Sequence, residues 1–340
     1  MKRIHLTSHD LLRIRIGAPL GALGETMLAG RELQRCDTTV FAGWRSQVRR
    51  AIPENFGVLA DIAPPEAHFV DLITPTRGTR SMSAGIEALH LASRDELGLE
   101  LASTVKHRAR DGYPPLPSWT AGLTLRDAAV RRCIATAVQD FHEVAFAGRW
   151  AHVQSYLDGI ADRWARTMAT EGVEALFATL QPHVRWREPM LEVPLSTSCH
   201  DEFLHGHGLV LIPSLFVWPR PIVLRSAVDR DAPKMLVIPA LRDIADLAAA
   251  WGPRPANEAL NALLGRTRAA ALQVIADGCS TSELARQLGV SLATASEHAS
   301  ILREAGLIES TRQRNAMRHE LTGLGAALLD GDLDTGLRTA

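Results

Sequence analysis

The sequence predicts an α+β fold, in which a mostly helical N-terminal region with a small sheet precedes a compact C-terminal module of helices closed by a β-hairpin. Three observations predict it. Apolar residues recur at helical spacing from Thr124 to about Leu180. The period then shortens to alternation between Val184 and Ile238. Finally, Trp251-Gly252-Pro253-Arg254-Pro255 breaks the chain before a last, helix-rich quarter.

Up to about residue 120, short amphipathic helical patterns alternate with breaks at Ala63-Pro64-Pro65, Thr74-Pro75 and Tyr113-Pro114-Pro115-Leu116-Pro117. Ala128, Cys133, Val138, Phe141 and Phe146 then mark a long helix. Tyr156, Ile160, Trp164 and Met168, four residues apart, put a core stripe on one face of another. Pro182 closes the helical region. Short strands are expected at Val184–Trp186, Leu191–Val193, Leu209–Ile212, Leu215–Trp218, Ile222–Leu224 and Met235–Ile238, separated by prolines and polar turns. A helix follows from about Leu241 to Trp251. The domains are thus 1–251, a stiff linker 252–256, a module 257–330 and a tail 331–340.

Within the module, Asn257 to Ala276 reads as one helical run, stopped by Asp277-Gly278. Ser280-Thr281-Ser282-Glu283 fits a capping box, so a helix starts there, with Leu284, Ala285 and Leu288 on its buried face. Gly289 supplies a permissive turn, and Ser291 caps a second helix from Leu292 to Ala305. Leu292, Ala295, Ala299 and Leu302 are expected inward, which leaves Ala293, Thr294, Glu297 and His298 outward. A helix that enters a major groove needs such small or polar side chains near its start, because bulk there would hold it off the base edges. Leu307–Thr311 and Met317–Leu321 then read as a hairpin around Gln313 to Asn315, where Asn315 tolerates the left-handed conformation. Thr322 can cap a last helix through Leu329. This is the order of a winged helix-turn-helix. Its candidate contacts with double-stranded DNA are Ser291, Ala293, Thr294, Ser296, Glu297 and His298 on the recognition helix. On the wing they are Arg312, Arg314, Asn315, Arg318 and His319.

The stretch ELARQLGVSLATASEHASILREAGLIES, followed by a basic hairpin, resembles the winged helix of ArsR-type transcriptional regulators. Ser291, Thr294, Ser296 and His298, then Leu302, Ala305, Gly306, Leu307 and Ile308, carry the likeness over roughly 257–329. Ala299 departs from it, standing where a larger leucine is usual. WARTMATEGVEALFATLQPHVRW and HGLVLIPSLFVWPR resemble a large N-terminal domain of uncharacterised function that bacterial ArsR-like regulators sometimes carry. The resemblance implies a DNA-binding regulator, a repressor by family habit. It also implies pairing through the outer helices, Asn257 to Ala276 and the segment after Thr322, with the N-terminal domain, read as a sensing or dimerisation domain, as the other surface for pairing. Metal-sensing relatives use a cysteine pair, whereas this module has only Cys279, which argues against thiolate sensing. Seven arginines balance seven acidic residues over 257–329, so DNA affinity must come from placement of charge. One such module buries only ~600–1,000 Å² on DNA, so a homodimer on two half-sites is expected.

The chain has 340 residues, 46% of them hydrophobic, and a net charge of -1, which excludes a globally basic protein. Cys36, Cys133, Cys199 and Cys279 are scattered with no close pair, as suits a reducing compartment. The longest near-apolar stretch, Gly208 to Pro219, is too short to span a bilayer, and His5, Ser8, His9, Asp10 and Arg13 interrupt any export signal. A cytoplasmic location with no membrane partner is expected. Cys199, His200, Asp201, His205 and His207 form the densest set of metal-ligand types, but a solvated polar turn beside Gly206 and Gly208 is the expected reading and no metal is expected, zinc or another transition metal being the alternative. His142-Glu143 lacks the second histidine of a zinc protease motif. Gly17, Gly21 and Gly24 are spaced wrongly for a phosphate cradle, and no nucleophile elbow or dinucleotide fingerprint is present. No cofactor and no catalytic residue is expected. Trp150, Tyr156, Trp164, Phe177, Trp186, Phe203, Phe216 and Trp218 read as core, and some of them as walls of a pocket for a small-molecule effector. Two other functions compete: a protein-interaction module with a winged helix that does not bind DNA, and a small-molecule or metal-dependent enzyme in residues 1–251.

Overall fold

The computed structural model describes residues 2–35, 40–66, 68–76, 79–124, 128–194, 200–229, 231–242, 244–251, 260, 263–276, 278–313 and 316–330. The fold is α+β, with a helix-turn-helix in its C-terminal part. The chain divides into two compact units, one built from 1–36 and 51–251, the other from 37–50 and 252–340. The segment 37–50, expected in the N-terminal domain, therefore falls in the second unit. The linker 252–256 and the tail 331–340 lie outside the described residues.

The first unit contains β1 (Lys2–His5), β2 (Ile14–Ile16), β3 (Arg185–Arg187), β4 (Met190–Val193), β5 (His200–Phe203), β6 (Leu209–Ser214), β7 (Ile222–Leu224) and β8 (Lys234–Pro239). They form two four-stranded sheets, ordered β3-β4-β1-β5 and β2-β6-β8-β7. β1 runs antiparallel to β4, with Ile4 opposite Leu191, and parallel to β5. β2, β6 and β8 are mutually parallel, and β7 closes one edge antiparallel to β8. β1 and β2 were expected within helical patterns. At three or four residues each they are too short to show a period, and their partners lie far along the chain.

The helix Gly21–Leu33 is buried on nearly every face, and the helices Phe56–Ile62, Met82–Leu91, Ala128–Phe146 and Trp150–Glu171 pack around it. Such all-round burial marks a central core helix. On Trp150–Glu171 the buried stripe is Val153, Leu157, Ile160 and Trp164, while Tyr156 and Met168 are only partly covered. On Ala128–Phe146, Val138, Phe141 and Phe146 are buried and Cys133 is exposed. Leu215–Trp218, expected as a strand, is not one. β6 ends at Ser214, and the next two backbone N–H groups, of Leu215 and Phe216, donate to the buried carboxylate of Glu25 at 3.2 and 3.3 Å. A carboxylate takes the place of a neighbouring strand there.

The second unit has a three-stranded sheet of β9 (Cys279–Ser280), β10 (Ile308–Gln313) and β11 (Ala316–Leu321), in the order β10-β11-β9. The helices Arg266–Ile275, Thr281–Leu288 and Leu292–Glu304 enclose its core, and Ala42–Arg49 packs on Arg266–Ile275. The single run expected from Asn257 to Ala276 is broken at Gly265, whose φ of +81° lies in the left-handed region. No helix among the described residues is long and apolar enough to cross a membrane.

Candidate nucleic-acid interface

The buried residues Leu272, Ile275, Leu284, Ala295, Leu302 and Ile308 hold the two central helices against the hairpin. Each of these helices starts with the cap its sequence specifies. Ser280 Oγ accepts from the Glu283 N–H at 3.3 Å, while Glu283 Oε2 accepts from the Ser280 N–H at 2.8 Å. These bonds hold the Glu283 pKa below its ordinary value, because the charged carboxylate is the better acceptor. Gly289 adopts the left-handed conformation, with φ 66° and ψ 29°, and turns the chain toward the second helix. Ser291 Oγ then accepts from the Thr294 N–H at 3.1 Å and lies 2.8 Å from Thr294 Oγ1. The opening turn of Leu292–Glu304 is thereby fixed in direction.

On that helix Ser291, Ala293, Ser296 and Glu297 are exposed, and Thr294 and His298 are half-buried. Nδ1 of His298 is covered and has no hydrogen-bond partner among the described residues. Ala295, Ala299 and Leu302 point into the core, as their spacing requires. Leu292 does not: it is 56% exposed. It sits on the same face three residues before Ala295, but the core ends there, so the first turn overhangs it. The outer surface of the helix start is therefore Ser291, Leu292, Ala293, Ser296 and Glu297, four small or polar side chains and one apolar knob.

The hairpin register sorts the wing residues by face. Arg312 lies opposite Met317 and Ser310 opposite His319, whereas Thr311 lies opposite Arg318 and Glu309 opposite Glu320. Because side chains alternate along a strand, Arg312 shares a face with Ser310 and His319, and Arg318 lies on the other. Arg312 is exposed. Arg318 Nε donates to Glu320 Oε1 at 2.9 Å, so its charge is balanced within the strand. Arg312 and Arg318 therefore do not lie on one basic face. Arg314 and Asn315 lie outside the described residues.

His319, expected as a wing contact, is buried at 5% exposure. Its Nε2 lies 2.9 Å from Thr281 Oγ1 and its Nδ1 lies 2.8 Å from Ser310 Oγ, so the ring ties the start of Thr281–Leu288 to the hairpin. Burial, with Arg303 nearby, lowers its pKa below 6.5. The alternation of Met317, His319 and Leu321 with Arg318 and Glu320 is the sequence signal that assigns His319 to the inner face.

The metal-ligand set divides. Cys199 lies outside the described residues, as does the side chain of His200. Asp201 meets His5 at 3.0 Å, His207 lies 3.7 Å from Asp231, and the His205 ring lies tilted against Phe203 with centroids 6.0 Å apart. Among the described residues no three His, Cys, Asp or Glu side chains converge as a metal cluster.

Two capped helices joined by a left-handed turn and followed by a β-hairpin define a helix-turn-helix protein, a class whose exposed second helix suits DNA-binding regulation. The comparison with family models agrees: the model of a helix-turn-helix domain matches residues 263–311. No curated protein and no solved structure matches the chain.

Proposed function

We propose that the protein is a transcriptional repressor that binds operator DNA as a homodimer and responds to a small-molecule effector held by its N-terminal unit. The observation that carries this reading is the overhanging start of Leu292–Glu304, small and polar at Ala293, Ser296 and Glu297, in the same unit as an exposed Arg312. Ala293 and Ser296 let the backbone approach base edges, and Glu297 can accept from a cytosine amino group while repelling phosphate elsewhere. Arg312 supplies a phosphate or minor-groove contact that does not depend on sequence. Arg318 contributes less, being paired with Glu320. Pairing of two copies gains support from Leu263 and Leu324, which are 68% and 53% exposed on the elements that the ArsR-type resemblance implicates. Repression rests on that resemblance.

Selection of bound genomic fragments with the purified full-length protein tests the reading, followed by titration of a selected fragment at several salt concentrations. Arg312→Ala is expected to weaken binding on all sequences alike and to reduce the slope of log affinity against log salt by about 0.9. Ala293→Leu is expected to abolish selectivity by bulk. No enrichment of any fragment, or an Arg312→Ala protein with the parent's salt slope, would overturn the interface.

A further inference from the structure

The first unit contains a cavity of about 340 Å³ at the carboxyl end of β8, walled by one face of Trp150–Glu171, by the chain around Leu180 and by the approach to the helix Ile244–Trp251. In sheets with parallel strands, the crevice outside the carboxyl ends of the strands is where ligands bind. The lining is of two kinds. Ile160, Trp164, Leu180, Ile238 and Pro239 are apolar, Trp164 adding aromatic surface. Arg163 and Arg242 are cationic.

Three polar side chains of the lining are already engaged with nearby backbone groups. His183 braces the wall, its Nδ1 3.2 Å from the Pro219 carbonyl oxygen and its Nε2 3.2 Å from that of Leu241. Tyr156 donates to the Ala240 carbonyl at 3.4 Å, and Asp246 Oδ2 accepts from the Arg242 N–H at 2.7 Å. The two guanidinium groups are different. Arg242 Nη2 donates to the Thr179 carbonyl at 3.2 Å, and neither Arg163 nor Arg242 has an ion pair among the described residues. Guanidinium groups pair in a planar, bidentate way with carboxylate or phosphate. Asp246 in the same wall works against a dianion and leaves room for a single negative charge.

From this cavity we infer a binding site for a small organic acid, with a carboxylate head on Arg163 and Arg242 and an aromatic or branched apolar body against Trp164 and Ile160. The volume sits at the lower end of the range for small-molecule pockets, about 300–1,000 Å³, which favours a ligand of one ring rather than a dinucleotide. The inference rests on the regulator reading only for its consequence, that the acid is the effector; the site itself stands on the cavity.

The test uses the full-length protein with benzoate and phenylacetate as probes, and with benzamide and inorganic phosphate as controls, by thermal unfolding and calorimetric titration. Both acids are expected to raise the unfolding midpoint by about 2–4 °C at saturation. Benzamide and phosphate should leave it unchanged. Arg163→Gln, on an exposed position of its helix, is expected to weaken acid binding about tenfold, and Arg242→Gln to do the same. Failure of both acids to bind, equal binding by the variants, or equal binding of benzamide or phosphate overturns the site. Acid binding lost in both variants by a protein that selects no DNA keeps the site and removes the regulator reading. DNA selection without acid binding does the opposite.

Discussion

Glu25→Gln tests how the first unit supports an acid at its centre. Glu25 is 0% exposed, its Oε2 accepts two backbone N–H groups, and its Oε1 has no hydrogen-bond partner among the described residues. Burial, only partly offset by the nearby Ser214 hydroxyl and the two N–H groups, pushes its pKa from 4.5 up to about 7. A carboxyl raised in this way contributes stability that is fully present below pH 4.5 and is lost as pH rises through about 7. The gap between those values is worth about 3 kcal/mol. Glutamine keeps an acceptor for Leu215 and Phe216 but cannot ionise. Relative to the parent, the variant should therefore gain about 3 kcal/mol between acid pH and about pH 8, or roughly 6–12 °C in the unfolding midpoint. Glu100, also raised to about 7 by burial with Asp71 nearby, titrates in the same window in both proteins and cancels in the difference. Urea unfolding followed by tryptophan fluorescence reads the right region, since every tryptophan but Trp44 is in the first unit. A difference between variant and parent that is the same at both pH values would refute the reasoning.

Other expectations concern the second unit. A Cβ at Gly325 would lie 2.0 Å from the Leu307 carbonyl oxygen, so Gly325→Ala must displace the helix Gly323–Asp330, at a cost of about 2 kcal/mol. Hydrogen exchange at the Thr322 N–H, which donates to that same carbonyl, measures it, and unchanged protection would contradict the close approach. His319 has a lowered pKa, so the stability it confers as a neutral ring is present above pH 6.5 and is lost as pH falls through its folded value. Exchange protection of the β10–β11 pair should fall on acidification in the parent and fall less in His319→Asn. Equal acid sensitivity in the two would remove His319 as its cause.

The helix-turn-helix of the second unit was legible because its signals are local, whereas nothing local ties residues 37–50 to that unit. A serine three residues before a glutamate, a glycine after Leu288 and a serine before Leu292 each specify a cap or a turn within a few residues, and each is found. The exposure of Leu292 was not legible, because helical spacing gives the direction of a side chain and not where the core stops. His319 stands among arginines in the sequence, but the two-residue period of the strand turns it to the inner face. In the first unit the distant partners decided the outcome. Ile4 becomes a strand residue because Leu191 lies opposite it, and the chain leaves the sheet at Leu215 because Glu25 waits there. No local pattern at any of these positions announces its partner.

β1 lies between β4 and β5, inside its sheet, although some 190 residues separate it from both. At translation speeds of roughly 5–20 residues per second, the ribosome releases this strand about 10–40 s before its neighbours exist. Throughout that time the nascent first strand keeps two unfilled edges, and the early chain is open to wrong pairing until Phe203 has emerged. Growth rate and chaperone supply, more than final stability, should therefore govern the yield of native protein.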